Sequence, residues 1–111
     1  MATAPLDQYG IESEIIRFVE MLEEETENFA VVARDHAKKD ALQKTEWAKA
    51  YLGANGPVTE RTAWADYKTK DTLFDVKIAD ALMRAKREKL NSTRTTLDSL
   101  RTLSANVRAM T

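Results

Sequence analysis

The placement of helix-breaking residues constrains this chain more than any other feature. Only three glycines and two prolines occur among 111 residues, and they fall in two places. Pro5 and Gly10 lie near the start, and Gly53-Ala54-Asn55-Gly56-Pro57 lies in the middle. Glycine loses the most backbone freedom on folding and proline removes a helix hydrogen bond, so both punctuate helices rather than extend them. Between and after these points the apolar residues recur at steps of three and four, the spacing of one helix face. The expected fold is all-α: an antiparallel hairpin of two long helices. A flexible tail covers residues 1–10, and a single helical-hairpin domain covers 11–111. Within that domain the helices run over about 12–52 and 59–108, joined by a turn at 53–58.

The first helix carries its apolar residues as one stripe: Ile11, Ile15, Phe18, Leu22, Phe29, Ala33, Ala37, Ala41, Ala48 and Tyr51. Gly53 stands where a left-handed residue would end that helix, and Pro57 prevents its resumption. Thr59 is the expected N-cap of the second helix, with Glu60 favourable in its first turn. The later part of the second helix has a heptad seam through Leu90, Thr93, Leu97, Leu100, Ser104 and Val107. Its earlier part carries Trp64, Tyr67, Phe74, Ile78, Leu82 and Ala85 as another stripe.

Folding back about Asn55 and Gly56 sets Trp47 against Trp64 and Phe29 against Leu82, with Ile11 against Leu100. The alanine row Ala33, Ala37, Ala41 then lies along Phe74 and Ile78, small against large, as dense packing requires. The same alignment brings Glu27 beside Arg84, Glu25 beside Lys86 and Glu24 beside Arg87, whether within one chain or between chains. A bare hairpin has little interior, and the apolar surface of the second helix is wider than one partner helix covers. Leu73, Val76, Met83, Leu90 and Leu103 are the expected oligomer interface of a homo-oligomeric bundle or ring.

Charge is unevenly spread. The net charge is −1, yet residues 1–30 hold eight acids and one base, while residues 31–111 hold sixteen bases and ten acids. Such asymmetry fits either an internal electrostatic match or a basic face for a polyanion. One basic group lies at Arg84, Lys86, Arg87, Lys89, Arg94, Arg101 and Arg108. A second lies near the turn, at Lys38, Lys39, Lys44, Lys49, Arg61, Lys68 and Lys70. That second group is interleaved with Trp47, Tyr51, Trp64 and Tyr67, rings on which unpaired bases could stack. Aromatics at such spacing also pack helix ends, and the glutamates of the first helix could neutralise the other basic group.

Catalysis is not expected. Cysteine is absent, and His36 is the one histidine, so no nucleophile has a His–acid pair to activate it and no metal site has enough ligands. No Gly-rich phosphate loop occurs either. The expectation is of no catalytic residues, no metal and no cofactor. The first ten residues lack the basic and apolar regions of a signal peptide, and no apolar run approaches the roughly 20 residues of a membrane span. A cytoplasmic protein without membrane contact is expected.

Three segments carry a resemblance: Lys38-Lys39-Asp40-Ala41-Leu42, then Lys49-Ala50-Tyr51-Leu52-Gly53, then, after the turn, Leu97-Asp98-Ser99-Leu100-Arg101-Thr102-Leu103. Over roughly residues 30–110 the chain resembles the small recombination mediators of tailed phages, the UvsY type. The resemblance implies a homo-oligomeric helical protein in a host bacterial cytoplasm that binds single-stranded DNA. Such a protein helps load a RecA-like recombinase while displacing single-strand-binding protein. The family's basic motif after Ala-Leu reads Gln43-Lys44-Thr45 here, so Lys38, Lys39 and Lys44 are what carries over. With Lys49, Arg94 and Arg101 added from the charge pattern, these are the expected nucleic-acid contacts. The alternative is a helical protein–protein adaptor, or an inhibitor of a host protein, without nucleic-acid binding.

Overall fold

A computed structural model describes residues 7–110 of the chain. It is all-α, with α1 at Gln8–Gly53, α2 at Val58–Lys68 and α3 at Lys70–Ala109. The long α1 and α3 pack antiparallel, with the short α2 between them in sequence. Residues 1–6 of the expected tail lie outside the described residues, but Gln8, Tyr9 and Gly10 already belong to α1. Asp7 explains the earlier start. Its Oδ1 accepts the Gly10 N–H at 2.7 Å and its carbonyl accepts the Ile11 N–H at 3.1 Å. A capping carboxylate thus satisfies donors that the first turn would otherwise leave open.

The turn differs in detail from the expected one. Gly53 is the last residue of α1 and is not left-handed; the residue with positive φ is Gly56, at 102°. Pro57, extended at φ −69° and ψ 163°, occupies the N-cap of α2 in place of Thr59, without a side-chain cap. Its carbonyl accepts the Arg61 N–H at 3.0 Å. Glu60 does lie in the first turn.

The second helix is interrupted at Thr69, where φ is −109° and ψ is 15°. Its hydroxyl donates to the Ala65 carbonyl at 2.7 Å while its N–H reaches the same oxygen at 3.1 Å. Thr26, Thr45 and Thr95 make the same side-chain bond within unbroken helix; what sets Thr69 apart is its backbone conformation and its burial. No glycine or proline marks the place, so the break is invisible to a reading based on helix breakers.

The described residues form two compact units, residues 7–29 with 86–110, and residues 30–85. In the first unit the covered positions of α1 include Ile11, Ile15, Phe18, Leu22, Glu25 and Phe29 at heptad spacing. They face the expected seam of Leu90, Thr93, Leu97, Leu100, Ser104 and Val107, of which Leu90, Thr93, Leu97 and Ser104 are buried. Steps of three and four on both sides make this a short antiparallel coiled coil. Gln8 Nε2 donates to Ser104 at 2.9 Å, Thr93 meets the Met21 sulfur at 4.0 Å, and the Arg87 guanidinium lies 5.6 Å from the Phe29 ring centroid. These contacts run up to about one turn beyond the expected alignment. Leu100 is half-buried rather than fully enclosed.

The acid–base ladder takes other partners. Among the described residues no ion pair joins Glu25 to Lys86 or Glu24 to Arg87, and Arg84 instead bridges Asp80 at 3.0 Å. Glu25 is buried in the seam, and among the described residues neither of its carboxylate oxygens has a hydrogen-bond partner. The reason is rotational: position 25 is on the inward heptad phase, whereas Glu23, Glu24 and Glu27 are exposed. At the unit's outer end, Arg108 reaches Glu12 at 3.4 Å and Gln8 donates to the same oxygen at 2.8 Å. The Gln8 hydrogen bond, then that of Arg108, holds the Glu12 carboxyl below its ordinary range.

The second unit reverses the usual order of inside and outside. Its covered α1 positions are Val32, Ala33, His36, Lys39, Asp40, Gln43, Glu46, Trp47, Ala50 and Tyr51, and those opposite are Arg61, Thr62, Ala65, Thr69, Thr72, Val76, Ala79, Asp80 and Met83. The seam is therefore mostly polar or small. Ala37, Ala41 and Ala48 are exposed, and so are Phe74 at 63%, Ile78 at 52% and Leu82 at 46%. The expected packing of the alanine row on Phe74 and Ile78 does not form within the chain. Both stripes keep helical spacing, but they lie on faces turned away from the seam.

Candidate nucleic-acid interface

The aromatic residues near the turn all belong to the second unit. Trp47 stacks on Tyr51, one turn later in α1, with ring centroids 5.2 Å apart and planes at 14°. The Trp47 indole N–H donates to Asp66 of α2 at 2.9 Å, and Arg61 of α2 lies 5.0 Å from the Tyr51 centroid. These contacts tie α1 to α2, so Trp47 and Tyr51 serve the tip's packing and are half-buried.

Trp64 and Tyr67 have a different setting. Both point outward from α2, at 44% and 62% exposure. Lys68 Nζ sits 4.9 Å from the Trp64 centroid and Lys70 Nζ 5.0 Å from that of Tyr67. The two rings are 6.2 Å apart and tilted by 35°. The expected meeting of Trp47 with Trp64 does not occur as a ring contact among the described residues. Trp47 borders a hollow with Gln43, Lys44 and Asp66. Trp64 borders another, of about 320 Å³, with Glu46, Lys49, Ala50, Gly53, Lys68 and Thr69. The open hollow beside the exposed Trp64 indole, with Lys49 and Lys68 on its wall, can admit a flat ring.

The sequence-derived contact residues are divided by the fold. Lys38, Lys39, Lys44 and Lys49 share the second unit with the aromatic pair, while Arg94 and Arg101 belong to the other. Lys39 bridges Asp35 at 3.0 Å, Lys44 bridges Asp40 at 2.9 Å and Lys49 bridges Glu46 at 3.6 Å. Arg101 bridges Asp98 at 3.7 Å. Such exposed pairs within one helix are weak and can be broken by a phosphate. Lys38 and Arg94 are exposed without a carboxylate partner among the described residues.

This chain matches no known family model, no curated protein and no solved structure.

Among the described residues no three His, Asp or Glu side chains gather as a metal site. His36 Nε2 lies 3.8 Å from Asp80, which also holds Arg84. No described helix is long and apolar enough to cross a membrane. The expected interface residues have mixed positions. Val76 and Leu90 are buried within their own chain, Met83 and Leu103 are half-buried, and Leu73 is exposed at 42%. The more exposed apolar side chains beside them are Phe74, Ile78 and Leu82, which the sequence assigns to the hairpin interior. An alternation of outward large residues with small inward ones was the available signal. Read alone, it marks only that one of the two stripes is covered.

Proposed function

We propose that this chain is a non-enzymatic protein that binds single-stranded DNA at the hairpin tip. In this reading it acts as a recombination mediator, assisting the loading of a RecA-like recombinase against single-strand-binding protein, as the family resemblance implies. The observation that carries the reading is the outward pair Trp64 and Tyr67, each with a lysine ammonium about one ring-width away. Bases stack on exposed rings irrespective of sequence, and neighbouring cations take the phosphates, a combination suited to strands of any sequence. Lys38, Lys44 and Lys49 extend positive charge along α1 on the same unit.

The test is titration of a labelled oligo-dT strand by fluorescence anisotropy at low and moderate salt. Affinity is expected to fall steeply as salt rises, because each phosphate contact releases counterions. Trp64→Ala should weaken binding by about tenfold, matching roughly 1–3 kcal/mol for a stacked base. Lys68→Glu with Lys70→Glu should weaken it further at low salt. No binding at low salt would remove the reading.

A second reading is favoured by the outward stripe of Phe74, Ile78 and Leu82. It makes the chain a helical adaptor whose partner is another protein's helix, with no nucleic acid involved. Absence of strand binding together with retained helicity would favour it.

A further inference from the structure

The outer faces of α1 and α3 in the second unit are complementary in both size and charge. On α3, Phe74, Ile78 and Leu82 stand exposed at successive turns, a large apolar stripe with none of the described residues upon it. On α1, Ala37, Ala41, Thr45 and Ala48 repeat at the same steps of four, four and three as Phe74, Ile78, Leu82 and Ala85. All eight positions are exposed. Large side chains against small ones allow helices to approach closely and interdigitate.

Charge separates this match from chance periodicity. In this unit most charged side chains are already engaged within the chain. Asp35, Asp40, Glu46 and Asp80 are paired with bases, and Asp66 takes the Trp47 N–H. Lys68 and Lys70 lie over aromatic rings. On α1 the exposed charges left without such a partner among the described residues are Arg34 and Lys38, one turn apart and flanking Ala37. On α3 they are Asp71 and Asp75, one turn apart and flanking Phe74, together with Lys77. A basic pair borders the small stripe and an acidic pair borders the large one.

We infer that the outer face of α3 docks on the outer face of α1 of a second copy of this chain. The contact is heterologous: each copy offers a different face to each neighbour, so the arrangement extends to further copies or closes as a ring. The acidic and basic pairs select α1 of another copy over a second α3, because α3 carries no matching basic pair beside its stripe. The inference does not depend on strand binding at the tip.

Charge reversal of the full chain, read by light scattering during gel filtration at micromolar concentration, tests it. The native chain should exceed the mass of one subunit. Arg34→Glu with Lys38→Glu should reduce it to the mass of one subunit, and so should Asp71→Lys with Asp75→Lys. All four positions are exposed, so helicity by circular dichroism should be unchanged in both. Mixing the two variants should restore association, since each retains the face the other has lost. Combining all four substitutions in one chain should restore the native mass. Phe74→Glu should abolish association independently of the charges.

A native chain of single-subunit mass would overturn the inference. Association untouched by the α1 reversal but lost with Phe74→Glu would also overturn it, showing that α3 pairs with another α3. Failure of the mixed variants to associate would do the same.

Discussion

Replacing the buried glutamate of the first unit should stabilise the chain. Glu25 stands on the inward face of α1 between Leu22 and Phe29, and heptad counting sets it against Leu90. It is 8% exposed, and both carboxylate oxygens lack hydrogen-bond partners among the described residues. Leaving such a group without partners costs about 1–3 kcal/mol. A leucine in its place removes that penalty and adds side-chain burial worth roughly 1.5–3 kcal/mol. Some fit is lost to imperfect packing, so Glu25→Leu should stabilise by about 2–4 kcal/mol. For a chain of this length that is on the order of 10 °C or more in Tm. Glu25→Gln should give a smaller gain, because it removes the charge and keeps the polar atoms. Urea and thermal unfolding followed by circular dichroism would measure both, with protein concentration held constant because association shifts apparent stability. A Glu25→Leu variant that is no more stable than the native chain would refute the reasoning, and would mean that the carboxylate holds a partner such as Lys86 in solution.

Three other perturbations test the fold. Leu97→Ala, at a position 2% exposed, should destabilise by about 2–4 kcal/mol, whereas Phe74→Ala should change the unfolding free energy of the isolated chain by less than about 0.5 kcal/mol; equal effects in urea melts would contradict the assignment of faces. Gly56→Ala should cost about 1–2 kcal/mol, because φ there is 102° and the new Cβ would stand 2.6 Å from a Glu60 carboxylate oxygen; a stability gain would show that the turn relaxes. Below the ordinary glutamate range near ~4.3, Glu12 should take up a proton. Its folded-state value is depressed by Gln8 and Arg108, so its contribution is present at neutral pH and is lost as pH falls through that depressed value. Unfolding measured across this range should lose less stability in Glu12→Gln than in the native chain.

Much of the architecture was legible in the residues. The Gly53 to Pro57 cluster located the reversal, because no helix passes through a positive-φ glycine followed by proline. The run from Leu90 to Val107 located the seam, because its steps of three and four have only one inward phase. In the second unit the same logic offered two candidate faces and favoured the larger side chains. The structure instead covers Val32, His36, Gln43 and Ala50, and leaves Phe74 and Ile78 exposed. The aromatic and basic residues of the tip were also visible as a group, but not which rings pack α1 on α2 and which face outward.

Local rules determined that this chain is helical, where it reverses and that both tryptophans and two of its tyrosines gather beside the reversal, since each of these depends on neighbours only a few positions apart. Rotational phase was decided by tertiary packing alone. A helix presents every side chain to some direction, and only the partner lying against it distinguishes a core stripe from an outer one. That choice buried Glu25 and turned Phe74, Ile78 and Leu82 outward.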